Sequence, residues 1–160
     1  LDDINAGVPG TRFLYRSIGF NAALDELQAA VLRVKLEALP SWVRMRRERV
    51  ARYRELLADV DRILPIRAAP GAEPAPRVMV VRVPDRDRVL SRLHAEGIAT
   101  TVAYVPPLHV QGVYADRRPD GGLPVTELLA DELLCLPCYP ELGLDEVGAV
   151  VDALVAAVVG

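Results

Sequence analysis

The chain has 160 residues and a formal net charge of −3; 51% of its residues are hydrophobic but only 5% are aromatic. That length suits one domain or a large subdomain, and its core must be built mostly from Val, Leu and Ala. The near-neutral charge gives no global bias toward nucleic acid or an anionic membrane, and no uninterrupted apolar run reaches the ~20 residues that span a bilayer. The N-terminus, Leu-Asp-Asp-Ile, has neither the basic region nor the apolar stretch of a signal peptide. It also lacks an initiator Met, so the chain is expected to begin inside a longer protein.

Residues 1–18 are loop-like, with Gly7, Pro9 and Gly10 as breakers. From Ala22 to Leu39 the apolar residues Leu24, Leu27, Val31, Val34 and Ala38 recur at helical spacing, with Asp25 and Glu26 in the first turn. Pro40 is expected to break or kink that helix. A second helix, Ser41 to about Asp59, carries a basic run: Arg44, Arg46, Arg47, Arg49, Arg52 and Arg54. Nucleic-acid binding is the sharper reading of that run. The plainer one is a solvated helix face, favoured because Glu48 and Glu55 interleave while Val43, Val50, Tyr53 and Leu57 supply a buried side.

Prolines and a glycine between 65 and 76 mark a loop around a short strand at Ile63–Ile66. The run Val78–Val83 reads as a buried strand. Asp85 is placed to cap a helix through Ala95, with Gly97 at its C-terminal end. Ile98–Tyr104 reads as another strand, ended by Pro106-Pro107, and an irregular segment continues to Gly122. A helix from about Val125 to Leu134 runs into the Leu136-Pro137 stop. The last helix starts near Leu144 and carries the stripe Val147, Val150, Val151, Leu154 and Val158. The expected fold class is α+β: long helices, then a small sheet covered by helices. Residues 1–60 form an interface loop and connecting helices, and 61–160 a small C-terminal domain.

Cys135 and Cys138 have a C-x-x-C spacing, which could mean a redox pair or half a zinc site. Zinc would need further ligands, and the only histidines are His94 and His109. The apolar run around Cys135 favours two free core cysteines, and with them, weakly, a cytoplasmic location. His109 sits in the Pro-rich segment Tyr104-Val105-Pro106-Pro107-Leu108-His109-Val110-Gln111. An irregular loop carrying His, Tyr and Gln suits a site; a structural histidine bonded to backbone fits as well. There is no phosphate-cradling Gly-rich loop and no H-E-x-x-H, so residue types alone define no catalytic constellation.

Four stretches in order carry a resemblance. Gly19-Phe20-Asn21-Ala22-Ala23-Leu24-Asp25-Glu26-Leu27-Gln28-Ala29-Ala30 resembles the G-(Y/F)-N-x-R-L-D-E-(I/L)-Q-A-A signature of the DegT/DnrJ/StrS family of sugar aminotransferases. Arg46-Arg47, Val50-Ala51 and Tyr53 are similar to its R-R-x-x-A-x-x-Y helix. Gly97-Ile98, Tyr104 and Pro107-Leu108-His109-Val110-Gln111 resemble its G-I-x-T-x-x-H-Y-x-x-P-L-H-x-Q segment. Leu136-Pro137-Cys138-Tyr139-Pro140-Glu141-Leu142 is similar to its L-P-x-(Y/H)-P-x-L.

The resemblance implies the C-terminal small domain of a fold-type I transferase that uses pyridoxal 5'-phosphate (PLP) to move an amino group from glutamate or glutamine to a keto-sugar, usually nucleotide-linked, or a cyclitol. In the family, the lysine that bonds PLP and the aspartate that pairs its ring nitrogen lie upstream of the G-(Y/F)-N motif. This chain would then be about the C-terminal half of a member and inactive alone. Its only lysine, Lys35, sits at ordinary helix spacing. The resemblance also implies a site at a dimer interface. Asn21, with Tyr15 as an aromatic neighbour, would lie toward the partner's PLP phosphate, while His109, Gln111 and Tyr104 would lie on the substrate side. Ala23 stands where the family has Arg, and Ala103 where it has the His of its H-Y pair. The expected partners are a second copy or a missing N-terminal large domain, and a nucleotide-sugar. The competing reading is a non-catalytic dimerisation or partner-binding module derived from the family.

Overall fold

The computed structural model describes residues 25–160. Asn21, Tyr15 and Ala23 lie outside the described residues. The first element is α1 (Glu26–Leu56), followed by the short strand β1 (Leu64–Pro65), β2 (Met79–Arg82) and α2 (Arg86–Ala95). Two 3-10 turns (Leu108–Val110 and Gly112–Arg117) lead to α3 (Pro124–Glu132), β3 (Leu133–Leu136) and α4 (Leu144–Val159). The strands form one antiparallel sheet in the order β1-β2-β3. Helices covering a small sheet match the α+β small-domain expectation.

β2 is central because it is paired on both edges. Leu64 faces Arg82 on one side, and Met79 through Arg82 face Leu136 through Leu133 on the other. Pro65 is tolerated because β1 is an edge strand that needs no second ladder. Along β2, Met79 and Val81 are buried while Val80 and Arg82 are only half-buried, the period-two alternation of a sheet covered on one side. Met79, Val81, Leu134 and Leu136 join one core with Val50, Tyr53 and Leu57 of α1, Val89 and Leu93 of α2, and the apolar stripe of α4. Every residue of the stripe expected on the last helix is buried.

Polar contacts fasten these layers. The Tyr53 hydroxyl, on a fully buried side chain, donates to the Pro137 carbonyl at 3.1 Å and ties α1 to the segment after β3. Burial pushes the Tyr53 pKa well above the ordinary phenol value, with Cys138 and Tyr139 adding to the shift. Arg88 and Arg92 of α2 donate to the Ala157 carbonyl at 3.1 and 3.3 Å, supplying donors to the C-terminal end of α4. Buried Arg86 donates to the Leu133 carbonyl at 3.1 Å and pins the start of α2 to β3. The C-terminus of α2 closes in a Schellman motif: Gly97, at φ 78°, donates to the His94 carbonyl and Ile98 to the Leu93 carbonyl.

Several expectations are corrected. Pro40 does not end the first helix, and the two expected helices are one 31-residue α1. A proline costs ~3 kcal/mol inside a helix, but this one lies on an exposed stretch where the carbonyl losing its donor can turn to water. The Ser41 hydroxyl also donates to the Ala38 carbonyl at 2.7 Å. α1 starts at Glu26; the expected start at Ala22 lies outside the described residues. Asp25 has an extended backbone, and its carboxylate caps the N–H groups of Leu27 and Gln28 at 2.8 and 3.2 Å. Asp85 stands at the N-cap of α2 with a left-handed backbone (φ 49°), and its side chain makes no capping hydrogen bond; its carbonyl accepts the N–H groups of Arg88 and Val89, and its carboxylate lies 3.8 Å from the Arg88 guanidinium.

The segment Ile98–Tyr104 is not a strand. It contributes one isolated bridge, Thr101 to Cys135. The helix expected to reach Leu134 stops at Glu132, and Leu133–Leu136 pair with β2 instead. Both cysteines are free and buried, and burial raises each thiol pKa.

Arginines of α1 are used largely within the chain. Arg49 donates to the Leu142 carbonyl at 2.8 Å, Arg47 to Pro74 at 2.9 Å and Arg54 to Ile66 at 3.1 Å. The solvated-face expectation therefore holds only in part: this face also clamps two loops.

The Tyr53 clamp gives a direct expectation. Tyr53→Phe should lower unfolding stability by about 1 kcal/mol, the net value of one hydrogen bond, plus the cost of leaving the Pro137 carbonyl underused. Tyr53→Ala should cost about 3–5 kcal/mol through the cavity it leaves. Urea denaturation curves of the two variants check the ordering.

Candidate functional site

The segment from Tyr104 to Glu127 holds the candidate site residues among the described ones. Pro106 and Pro107 lie in an irregular segment, and two short 3-10 turns follow. Val110 N–H donates to the Pro107 carbonyl, Gln111 to Leu108, and Tyr114 to Gln111, at 2.9–3.1 Å. This places His109 and Gln111 in one tightly wound segment with both side chains buried. The Gln111 amide nitrogen donates to the Pro106 carbonyl at 3.2 Å and closes the turn on itself.

His109 Nε2 lies 2.8 Å from Glu127 Oε1. The same carboxylate oxygen accepts the Leu123 backbone N–H at 3.1 Å. Leu123 is the N-cap residue of α3, so Glu127 uses one oxygen to cap its own helix and hold His109. The His109 hydrogen bond, then the Leu123 N–H, hold the Glu127 carboxyl below its ordinary 4.5. Glu127 was missed by sequence reasoning. Its signal was Gly121-Gly122-Leu123-Pro124 announcing a helix start, with an acidic side chain able to reach back to the first N–H groups.

Tyr104 behaves differently. It is 80% exposed and has a left-handed backbone, φ 61°. Among the described residues it makes no hydrogen bond to His109 or Gln111. The structure thus brings His109 and Gln111 together and leaves Tyr104 at the surface of the same segment. Ala103 is half-buried, with no functional group. The other histidine, His94, is bonded through Nε2 to the Thr100 carbonyl at 2.9 Å beside the end of α2, an ordinary structural role.

Lys35 projects from an exposed part of α1. Among the described residues there is no cluster of three or more His, Cys, Asp or Glu able to hold a metal ion, and no helix is long and apolar enough to cross a membrane.

The sequence model of the DegT/DnrJ/EryC1/StrS aminotransferase family matches residues 4–155. The chain belongs to that family. It is 38% identical over 146 residues to the erythromycin biosynthesis sensory transduction protein EryC1 of Saccharopolyspora erythraea, covering 91% of this chain and 40% of that protein. It is 38% identical over 145 residues to a dTDP-3-amino-3,4,6-trideoxy-alpha-D-glucose transaminase of Streptomyces venezuelae, covering 89% and 38%. Its fold superposes on the crystal structure of S. venezuelae DesV in complex with a ketimine intermediate with a TM-score of 0.78, at 36% identity, covering 92% of this chain and 40% of that one. An aminotransferase of the same family from Brucella abortus gives a TM-score of 0.77 at 32% identity, covering 94% and 40%. The chain therefore spans about two fifths of the length of the relatives it matches, somewhat less than the half expected from the motifs.

The Glu127 shift sets a pH expectation. A carboxyl with a folded pKa below its ordinary value stabilises the fold above that value, and the contribution is lost as pH falls through the folded pKa. The His109–Glu127 contact should accordingly persist above pH 4.5 and loosen only below it. His109→Ala removes the largest cause, so the Glu127 titration should move up toward 4.5, as followed by carboxyl-carbon NMR.

Proposed function

We propose that this chain is the C-terminal portion of a PLP-dependent aminotransferase acting on a nucleotide-linked keto-sugar, with glutamate or glutamine as amino donor. The observation that carries this reading is the match to sugar aminotransferases along nearly the whole chain, in sequence and in fold. Relatives named for dTDP- and UDP-linked amino sugars support the substrate class. PLP and the lysine that bonds it belong, in this reading, to the large domain of the complete enzyme. Asn21 and Tyr15 are proposed to approach the cofactor phosphate of a partner subunit. His109 and Gln111 are proposed to face the sugar, with Tyr104 at the rim. The buried, bonded state of His109 and Gln111 supports a rigid, preorganised wall.

Part of α1 supports the assembly side of this proposal. Leu27 and Val34 are 79% and 74% exposed, and Val31, Leu32, Leu36 and Leu39 are exposed as well. Contiguous apolar surface of this kind marks an interaction face. We assign it to contact with the large domain and a second subunit, with residues 1–60 as the connecting part and 61–160 as the small domain. The same exposed face is what favours the alternative, a non-catalytic module that binds a partner without transferring an amino group.

The test is reconstitution. The chain mixed with PLP and borohydride should give no reduced adduct. Joined to a family large domain that carries the lysine and aspartate, it should transfer nitrogen from glutamate to a dTDP-linked keto-sugar. A PLP adduct fixed on Lys35, or amino transfer by the chain alone, would contradict the proposal. Stable assembly with the large domain but no turnover would select the non-catalytic module.

A further inference from the structure

The family assignment leaves Glu127 without a role, yet its half-buried side chain is held by two contacts. Its Oε1 meets His109 Nε2 at 2.8 Å and the Leu123 N–H at 3.1 Å. An ionised carboxylate can only accept hydrogen bonds. His109 must therefore carry a hydrogen on Nε2, and its neutral form is the tautomer with a bare Nδ1 lone pair. Among the described residues nothing else bonds the ring. Gly122 is part of the same arrangement. It has φ 71°, a conformation disfavoured for side-chain-bearing residues, and a Cβ there would lie 2.7 Å from Glu127 Oε1. The glycine both turns the chain into α3 and leaves the space in which that oxygen meets the imidazole.

We propose that Glu127 is a positioning residue that, in the room left by Gly122, fixes the tautomer and ring orientation of His109, so that Nδ1 is presented as an acceptor to a hydroxyl of the sugar substrate. The proposal rests on the reading that the 104–111 segment faces the sugar. It adds a direction to that contact: the protein accepts and the sugar donates. A site built this way favours a ring hydroxyl over an ether or deoxy position at that point, because replacing the donor leaves the Nδ1 acceptor without the sugar as its partner.

Two measurements separate the couple from the site reading. The first is NMR of the chain with isotope-labelled histidine, at a pH where the imidazoles are neutral; only two histidines need assignment. The wild type should show His109 as the Nε2–H tautomer. Glu127→Gln, whose amide oxygen can still accept from both donors, should keep it. Glu127→Ala and Gly122→Ala should shift the population toward the Nδ1–H form. A wild-type Nδ1–H tautomer, or an unchanged tautomer in Glu127→Ala, would overturn the proposal. The second is titration of dTDP-glucose into the intact aminotransferase. His109→Ala and Glu127→Ala should each weaken binding about tenfold, the worth of roughly one hydrogen bond, while Glu127→Gln stays near wild type. If the tautomer shifts in Glu127→Ala and only His109→Ala weakens binding, the sugar-facing reading survives and the proposal fails. If neither variant affects binding, the sugar-facing reading fails with it, while the tautomer result still reports on the couple.

Discussion

Strand β2 must be hydrogen-bonded on both edges, and the rest of the structure is arranged around that requirement. Its four residues are too few to be stable as a lone hairpin. They are held by β1 and β3 in the plane of the sheet and by α1, α2 and α4 against the apolar face. Because β3 arrives from a distant part of the chain, an irregular segment joins α2 to α3 before the chain returns to the sheet. That segment is the candidate site. Its ends are fixed by the Thr101–Cys135 bridge on one side and by α3, which runs directly into β3, on the other. His109 and Glu127 meet because the loop and the helix are anchored to the same strand.

Much of this was legible in the residues. The stripe of α4 follows helical spacing, and Val78–Val83 is a Val-rich run broken only by Arg82, so burial decided both. The errors share a cause. Leu133-Leu134-Cys135-Leu136 is apolar at every position and fits a helix end or a buried strand equally well, and only pairing with Met79–Arg82 chooses the strand. Ile98–Tyr104 has strand composition, but only Thr101 pairs, on the outer edge of β3 at Cys135, so the segment makes one bridge and no ladder. Pro40 is a breaker by local rule, tolerated because that stretch of α1 faces outward.

The site was legible to a similar depth. His109 and Gln111 stood out because an irregular Pro-rich loop carrying them suits a site, although a structural histidine fitted the same residues. Glu127 did not, because its significance lies in a contact across 18 positions that no local pattern encodes. The basic run of α1 was ambiguous for the same reason: the carbonyls of Pro74, Ile66 and Leu142 that receive those guanidiniums are invisible to helix periodicity. Family membership, by contrast, was carried by short ordered motifs, which survive departures at single motif positions such as Ala23 and Ala103.

We propose above all that in the complete enzyme His109 touches the sugar, held there by Glu127. A crystal structure of the intact aminotransferase with a bound nucleotide-sugar measures it directly. A sugar hydroxyl oxygen within about 2.7–3.2 Å of His109 Nδ1, with Nε2 still on Glu127, is the result expected. A sugar bound with no oxygen in reach of His109, or an imidazole turned away from Glu127 when the sugar is present, would contradict it.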